Sequence, residues 1–172
     1  SIWVEGCEAE ARIHSPQDAQ NIGISTVYQE ITLCPNLTVA ENIFVGRKEF
    51  KKKIINARAR ELMKRFHLDI DVTRPLSNYS TAVQQMVSIA RAVNIDSKIL
   101  ILDEPTSSLD ENEVQLLFNV MRELKAEGMG IIFITHFLDQ IYAISDRMTI
   151  LRNGRLIGTY DIGEINKLQL VT

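Results

Sequence analysis

Asp103 and Glu104 stand side by side directly after Ile99-Leu100-Ile101-Leu102, so two carboxylates leave the end of a wholly apolar run. Four aliphatic residues in succession suit a strand covered on both faces of a parallel sheet. Open α/β sheets place their ligand sites at the carboxyl ends of such strands. Two acidic groups there can divide the work of nucleotide hydrolysis. One holds the water shell of Mg²⁺, a cation that keeps several waters and takes few protein ligands. The other orients or deprotonates the attacking water. Their order assigns Asp103 to the metal and Glu104 to the water. A strand that merely ends in a solvated Asp-Glu turn is the plain alternative. The residues that follow, Pro105-Thr106-Ser107-Ser108-Leu109-Asp110, weigh against it.

Two further side chains belong at the same edge. Gln29 ends the apolar stretch that begins at Gly23, and its neutral amide oxygen can ligate Mg²⁺ or a water and release it again. That suits a coupling hinge more than a catalyst. His136 follows another apolar stretch, 130–134, and an imidazole there can hydrogen-bond a terminal phosphate and steady the water. Asp110 can cap the helix that starts at Glu111. His14 and His67 lack such a setting and read as surface residues.

The elements that must position these groups follow from periodicity. Residues 3–13 have the Val, Ile and Trp content of a hairpin with Gly6 near its turn. Ser15-Pro16 opens a short capped helix, and 23–28 reads as a buried strand. Helical spacing then takes over: Val39, Ile43 and Phe44; Ala59, Leu62, Met63 and Phe66; and a third helix over 83–95 with Met86, Val87 and Ala90 on one side. A strand over 98–102 precedes a helix over 111–127 whose stripe is Val114, Leu117, Phe118, Met121 and Leu124, with Gly128 as the residue after its cap. A buried strand over 130–134, a helix over 137–145 and a hairpin over 148–160 turning at Asn153-Gly154 complete the pattern. The result is an α/β core, 1–34 and 86–172, carrying a helical subdomain at about 35–85.

Composition narrows the function without choosing it. The 172 residues are 45% hydrophobic and 24% charged, an ordinary globular balance, with a formal net charge of −3. No basic stripe marks a nucleic-acid surface, and the short run 47–53 reads as solvated. Two cysteines, Cys7 and Cys34, without a CxxC or a His pair, argue against a zinc site or disulfide framework and suit a reducing compartment. No apolar run approaches the roughly 18 residues that span a bilayer. Ser1 in place of an initiator Met suggests a fragment or a processed product.

The run from Leu102 to Asp110 closely resembles the Walker B and D-loop segment of ABC ATPases. Gln29 in Val27-Tyr28-Gln29-Glu30 is similar to the family's Q-loop, and Thr135-His136 to its H-loop switch, all in the family order. A narrower resemblance, carried by 15–20, 27–43 and 135–142, is to the bacterial monosaccharide-importer group of the ribose, galactose, xylose and galactofuranose type. The resemblance implies a P-loop NTPase-like ABC ATPase core with a helical subdomain, its N-terminal part incomplete. It also implies ATP and Mg²⁺ as cofactors, with Glu104 and His136 catalytic, Asp103 and Gln29 at the metal, and Ser80 and Asp110 contacting nucleotide across a dimer. Implied partners are membrane permease subunits, a second nucleotide-binding domain, fused or dimeric, and indirectly a periplasmic sugar-binding protein, with no nucleic acid. The implied location is the cytoplasmic face of the inner membrane.

Two departures qualify this. Where the family usually has Leu-Ser-Gly-Gly-Gln, this chain has Tyr79-Ser80-Thr81-Ala82-Val83. Ser80 keeps an N-cap hydroxyl at a helix N-terminus able to face an anion, but both glycines and the close backbone approach they permit are gone. Slow hydrolysis at the composite site is the expectation. No Gly-x-x-x-x-Gly-Lys-Ser/Thr occurs anywhere in the 172 residues. That loop supplies the backbone N–H groups and lysine that cradle phosphates, so this chain alone is expected to bind ATP poorly, hydrolyse it negligibly and leave one flank of its sheet exposed. The leading reading is an ATP-hydrolysing subunit for sugar import. The alternatives are a non-transport ABC ATPase and a non-catalytic truncated module.

Overall fold

The computed structural model describes residues 12–30, 32–46, 51–95 and 97–164. The hairpin expected over 3–13 lies almost wholly outside them. Helix α1 (Pro16–Asn21) starts as its sequence predicts: the Ser15 hydroxyl accepts from the Asp18 N–H, with proline in the first turn. Strand β1 (Ile24–Val27) follows. Three helices then occupy the insert region, α2 (Val39–Phe44), α3 (Lys52–Arg65) and α4 (Thr81–Val93). A single 3-10 turn (Leu76–Asn78) separates the last two. Helix α4 begins two residues before the expected Val83, because the Ser80 hydroxyl caps it at the Val83 N–H, and it runs unbroken through Gln85 and Met86.

Strand β2 (Ile99–Asp103), helix α5 (Glu111–Ala126), strand β3 (Gly130–Ile134), helix α6 (Leu138–Ile144) and the hairpin β4 (Arg147–Arg152) and β5 (Arg155–Asp161) complete the chain. Strands β1, β2 and β3 form a parallel sheet in that order, with Val27 opposite Leu102 and Asp103 opposite Ile134. Asn153 and Gly154 turn the hairpin with φ of 50° and 73°. Two positive φ values match the right-handed twist of the strands they join.

Helix α5 shows how local chemistry sets an element's ends. Asp110 and Glu113 cap it reciprocally: each side chain accepts the other's backbone N–H, at 2.9 and 3.0 Å. At the far end Gly128, at φ 93°, allows Met129 N–H to reach Leu124 C=O and Gly128 N–H to reach Lys125 C=O. Between the caps, Val114, Leu117, Phe118, Met121 and Leu124 are all buried. They join Leu100 and Leu102 of β2 and Val39, Ile43, Met63 and Phe66 of the insert in one hydrophobic core. The insert helices and the sheet thus share their packing.

One expectation fails in an informative way. Strand β3 is not buried: Ile132 and Ile134 are 51% and 46% exposed, whereas Ile131 and Phe133 pack inward. Among the described residues β3 pairs only with β2 and is covered on one face. Phe133 meets the ring of Phe118 edge-on, centroids 6.0 Å apart. Among the described residues the β3 side of the sheet thus carries an exposed apolar face. No helix among the described residues is long and apolar enough to cross a membrane.

Candidate active site

Parallel pairing sends the C-terminal ends of all three strands to one edge, and the acidic and imidazole side chains gather there. Gln29 lies two residues past Val27, the last residue of β1, and is exposed. Asp103 is the last residue of β2 and half-buried. Glu104 leaves the strand at φ 44°, in the left-handed region that L-residues avoid. Two contacts hold it there. Its N–H donates to Ile134 C=O at 2.9 Å, and its carboxylate Oε1 lies 3.0 Å from His136 Nδ1.

That carboxylate–imidazole contact joins residues 32 apart in sequence. With the proton on Nδ1, the ring donates to Glu104 and leaves Nε2 available to a substrate oxygen. Glu104 is the more enclosed partner, its side chain 29% exposed against 61% for His136. His136 is further flanked by the ring of Phe137, centroids 4.1 Å apart.

A small polar network that the sequence did not single out supports the pair. Thr106, buried, donates from its hydroxyl to Gln140 Oε1 at 2.7 Å, and Thr135 Oγ1 lies 3.4 Å from the same oxygen. Thr135 Oγ1 also accepts from Phe137 N–H at 3.1 Å, shaping the turn that presents His136. Gln140 of α6 thereby ties the loop after β2 to the loop after β3. Gln140 falls within the 135–142 stretch that carries the resemblance, but nothing in its local pattern marked it as a residue of the site.

Ser80 and Asp110 are placed differently. Each is an exposed N-cap, of α4 and α5, with local hydrogen bonds only. The structure does not join them to the Glu104–His136 pair. Among the described residues no three His, Cys, Asp or Glu side chains converge into a metal cage. Asp103 and Gln29 offer oxygen donors on one sheet edge, a set that fits a hard cation holding most of its own waters.

A family model described as ABC transporter matches residues 1–107, more than half of the chain. The chain belongs to the ABC transporter family. It is 47% identical to the galactofuranose transporter ATP-binding protein YtfR of Escherichia coli strain K12, over 99% of this chain and 35% of that protein. It is 49% identical to the fructose import ATP-binding protein FruK of Bifidobacterium longum, over 91% and 31%. It is 42% identical to the ribose import ATP-binding protein RbsA of Hahella chejuensis, over 95% and 34%. The chain thus spans about a third of the length of these curated relatives. Among solved structures, the ATP-binding cassette MJ0796, a dimer in a post-hydrolysis state with ADP and Pi, superposes with a TM-score of 0.75 at 22% identity. That match covers 89% of this chain and 69% of that one, and shows the fold. CbiO1 of Clostridium perfringens, part of the ABC transporter complex cbiONQ, gives 0.75 at 25% identity over 88% and 63%.

Proposed function

We propose that this chain is most of a nucleotide-binding half of an ATPase that energises monosaccharide import through a membrane permease, working at the cytoplasmic face of the membrane. The observation that carries the reading is the Glu104–His136 contact beside Asp103 at the carboxyl edge of a parallel sheet. Nucleotide hydrolysis needs a carboxylate to take or orient the proton of the attacking water and a donor for the terminal phosphate. Glu104 and His136 supply these. Their hydrogen bond sets the imidazole orientation before substrate arrives, so little reorganisation is left for the reaction itself. Asp103 and Gln29 would hold Mg²⁺, which when bound neutralises phosphate charge. Gln29, exposed at a strand end, also suits a contact that opens and closes as the insert moves.

Ser80 and Asp110 serve in this reading as helix caps that face a second nucleotide-binding domain. Thr81 and Ala82 in the first turn of α4 replace two glycines, which slows hydrolysis at that composite site. Partners are the permease, the second nucleotide-binding domain and, indirectly, a periplasmic sugar-binding protein. The names of the similar proteins, all sugar transport or import ATP-binding proteins, favour this over a non-transport ATPase.

The test uses the full-length subunit assembled with its permease. Glu104→Gln keeps the size and hydrogen-bonding shape but removes the base, so ATP turnover should fall about 100- to 10,000-fold while ATP binding persists. Turnover within a few-fold of the unchanged protein would overturn the assignment. The 172-residue chain by itself, without a GxxxxGK[ST] sequence, should show no measurable Mg-ATPase activity.

A further inference from the structure

The loop that follows Gln29 is held from within by one buried amide. Asn42, in α2, is 1% exposed. Its Oδ1 accepts from Cys34 N–H at 2.8 Å, and its Nδ2 lies within hydrogen-bond range of three carbonyls, Cys34 at 3.0 Å, Thr38 at 3.0 Å and Leu37 at 3.2 Å. Both backbone groups of Cys34 are thus paired with a single side chain, as a neighbouring strand would pair them. An amide has two N–H groups, so three carbonyls around it saturate its donors.

The carbonyls and amides next to this clamp are bonded in turn to the strap that leads to α4. Leu76 N–H donates to Leu37 C=O at 2.9 Å and Ser77 N–H to Pro35 C=O at 3.0 Å. Val39 and Ala40 donate back to Arg74 and Val72, at 3.1 and 3.0 Å. The strap is then joined to the start of α4: Tyr79 Oη donates to Asp71 C=O at 2.7 Å, and Gln84 Nε2 donates to Tyr79 C=O at 2.9 Å. The next residue is Ser80. On the other side, Val27 is held by its register with Leu102. Gln29 therefore sits between a point fixed to the sheet and a point fixed by Asn42.

We propose that Asn42 is a positioning residue, clamping the loop after Gln29 to the strap that ends at Ser80 so that the two move as one body. Its consequence for the nucleotide site rests on the function proposed above. The clamp itself does not. Any displacement of the insert is delivered to Gln29 and to the N-terminus of α4 together, because backbone bonds join Pro35, Leu37, Val39 and Ala40 directly to the strap at Ser77, Leu76, Arg74 and Val72.

Amide hydrogen exchange on the 172-residue chain, without nucleotide, tests the clamp. Asn42→Asp keeps the acceptor for Cys34 but turns a donor toward three carbonyls into a repelling oxygen. Protection of the Leu76, Ser77 and Val83 amides should fall together, about 10- to 100-fold, the cost of leaving buried polar groups unpaired. Leu102 in β2 and Leu117 in α5, as references, should keep theirs. Lowering the pH through the carboxyl range should restore part of the protection, since the protonated carboxyl donates again. A side chain that merely fills space would show no such recovery. Asn42→Ala, which buries no charge, should give the same pattern of loosened amides. Loss confined to residues 34–38, with Leu76 and Ser77 unchanged, would overturn the proposal. So would equal loss at the reference amides in both variants, which would make Asn42 a general core residue. Failure of the transport reading would leave these results untouched, because no nucleotide enters the assay.

Discussion

Glu104 carries a strain that can be measured apart from its chemistry. At φ 44° it occupies the left-handed region without being glycine. Holding an L-residue there costs about 1–2 kcal/mol. Glycine avoids that cost but loses more backbone freedom on folding, about 0.5–1 kcal/mol relative to alanine. Comparing Glu104→Gly with Glu104→Ala isolates the backbone, because neither variant keeps the carboxylate or its contact with His136. The difference of the two terms makes the Gly variant more stable than the Ala variant by up to about 1.5 kcal/mol, with about 0.8 kcal/mol from the central values. At an ordinary position the sign is reversed. Denaturant midpoints and thermal unfolding both read this, the latter as a shift of a few degrees, since about 1 kcal/mol moves the midpoint of a domain this size by roughly 2–4 °C. A Gly variant less stable than the Ala variant by about 0.5 kcal/mol or more would refute the reasoning. The strain persists because the Ile134 carbonyl and the His136 ring hold both ends of the residue. Strained backbone held by its surroundings is common where a group must be presented in one orientation.

Two more expectations concern the frame around the site. Phe118→Ala removes a fully buried ring that also stacks edge-on with Phe133 of β3, and should cost about 3–5 kcal/mol by chemical denaturation. A loss under about 2 kcal/mol would mean that the neighbouring side chains close the gap. The cap of α2 should show in the acid limb of stability. The backbone N–H of Thr38 is the main cause that holds the Glu41 carboxyl below its ordinary range, the Thr38 hydroxyl adds to it, and Lys52 contributes less. A carboxyl whose folded value is depressed stabilises the fold above its unfolded value, and that contribution is lost as pH falls through the folded one. Glu41→Gln should therefore lower stability near neutrality and flatten its fall between about pH 5 and pH 2. An unchanged slope in urea midpoints would contradict this.

Much of this fold is legible in short-range patterns because the forces that set it are short-range. Ser15-Pro16, Asp110 and Asn153-Gly154 each solve a local hydrogen-bond or φ problem within a few residues, and all three act as their types suggest. The end of α3 shows where this stops. His67 takes the left-handed position after the cap, at φ 58°, with Leu68 N–H on Met63 C=O and His67 N–H on Lys64 C=O. That motif usually announces itself by glycine. Here a histidine accepts the cost, and its ring reaches Glu123 of α5 at 2.7 Å. The partner lies 56 residues away, so no local pattern points to it.

The site divides along the same line. Asp103, Glu104 and His136 are legible because each sits at the end of an apolar run, and parallel pairing brings such ends together. Their contact is not, since it depends on the register of β2 with β3 and on the turn that Thr135 shapes. Strand β3 makes the point most sharply. Gly130-Ile131-Ile132-Phe133-Ile134 has the composition of a strand covered on both faces, yet composition records which faces a sequence is suited to bury, and burial needs a neighbour. Ile132 and Ile134 are left about half exposed among the described residues. The residue just beyond them, His136, is fixed to the rest of the edge through Glu104, while Gln140, Thr106 and Thr135 hold the two loops together. The orientation of His136 therefore depends on side-chain contacts across two loops, with β3 supported from the β2 side, and substitutions at Gln140 should be felt at the imidazole before they are felt in the sheet.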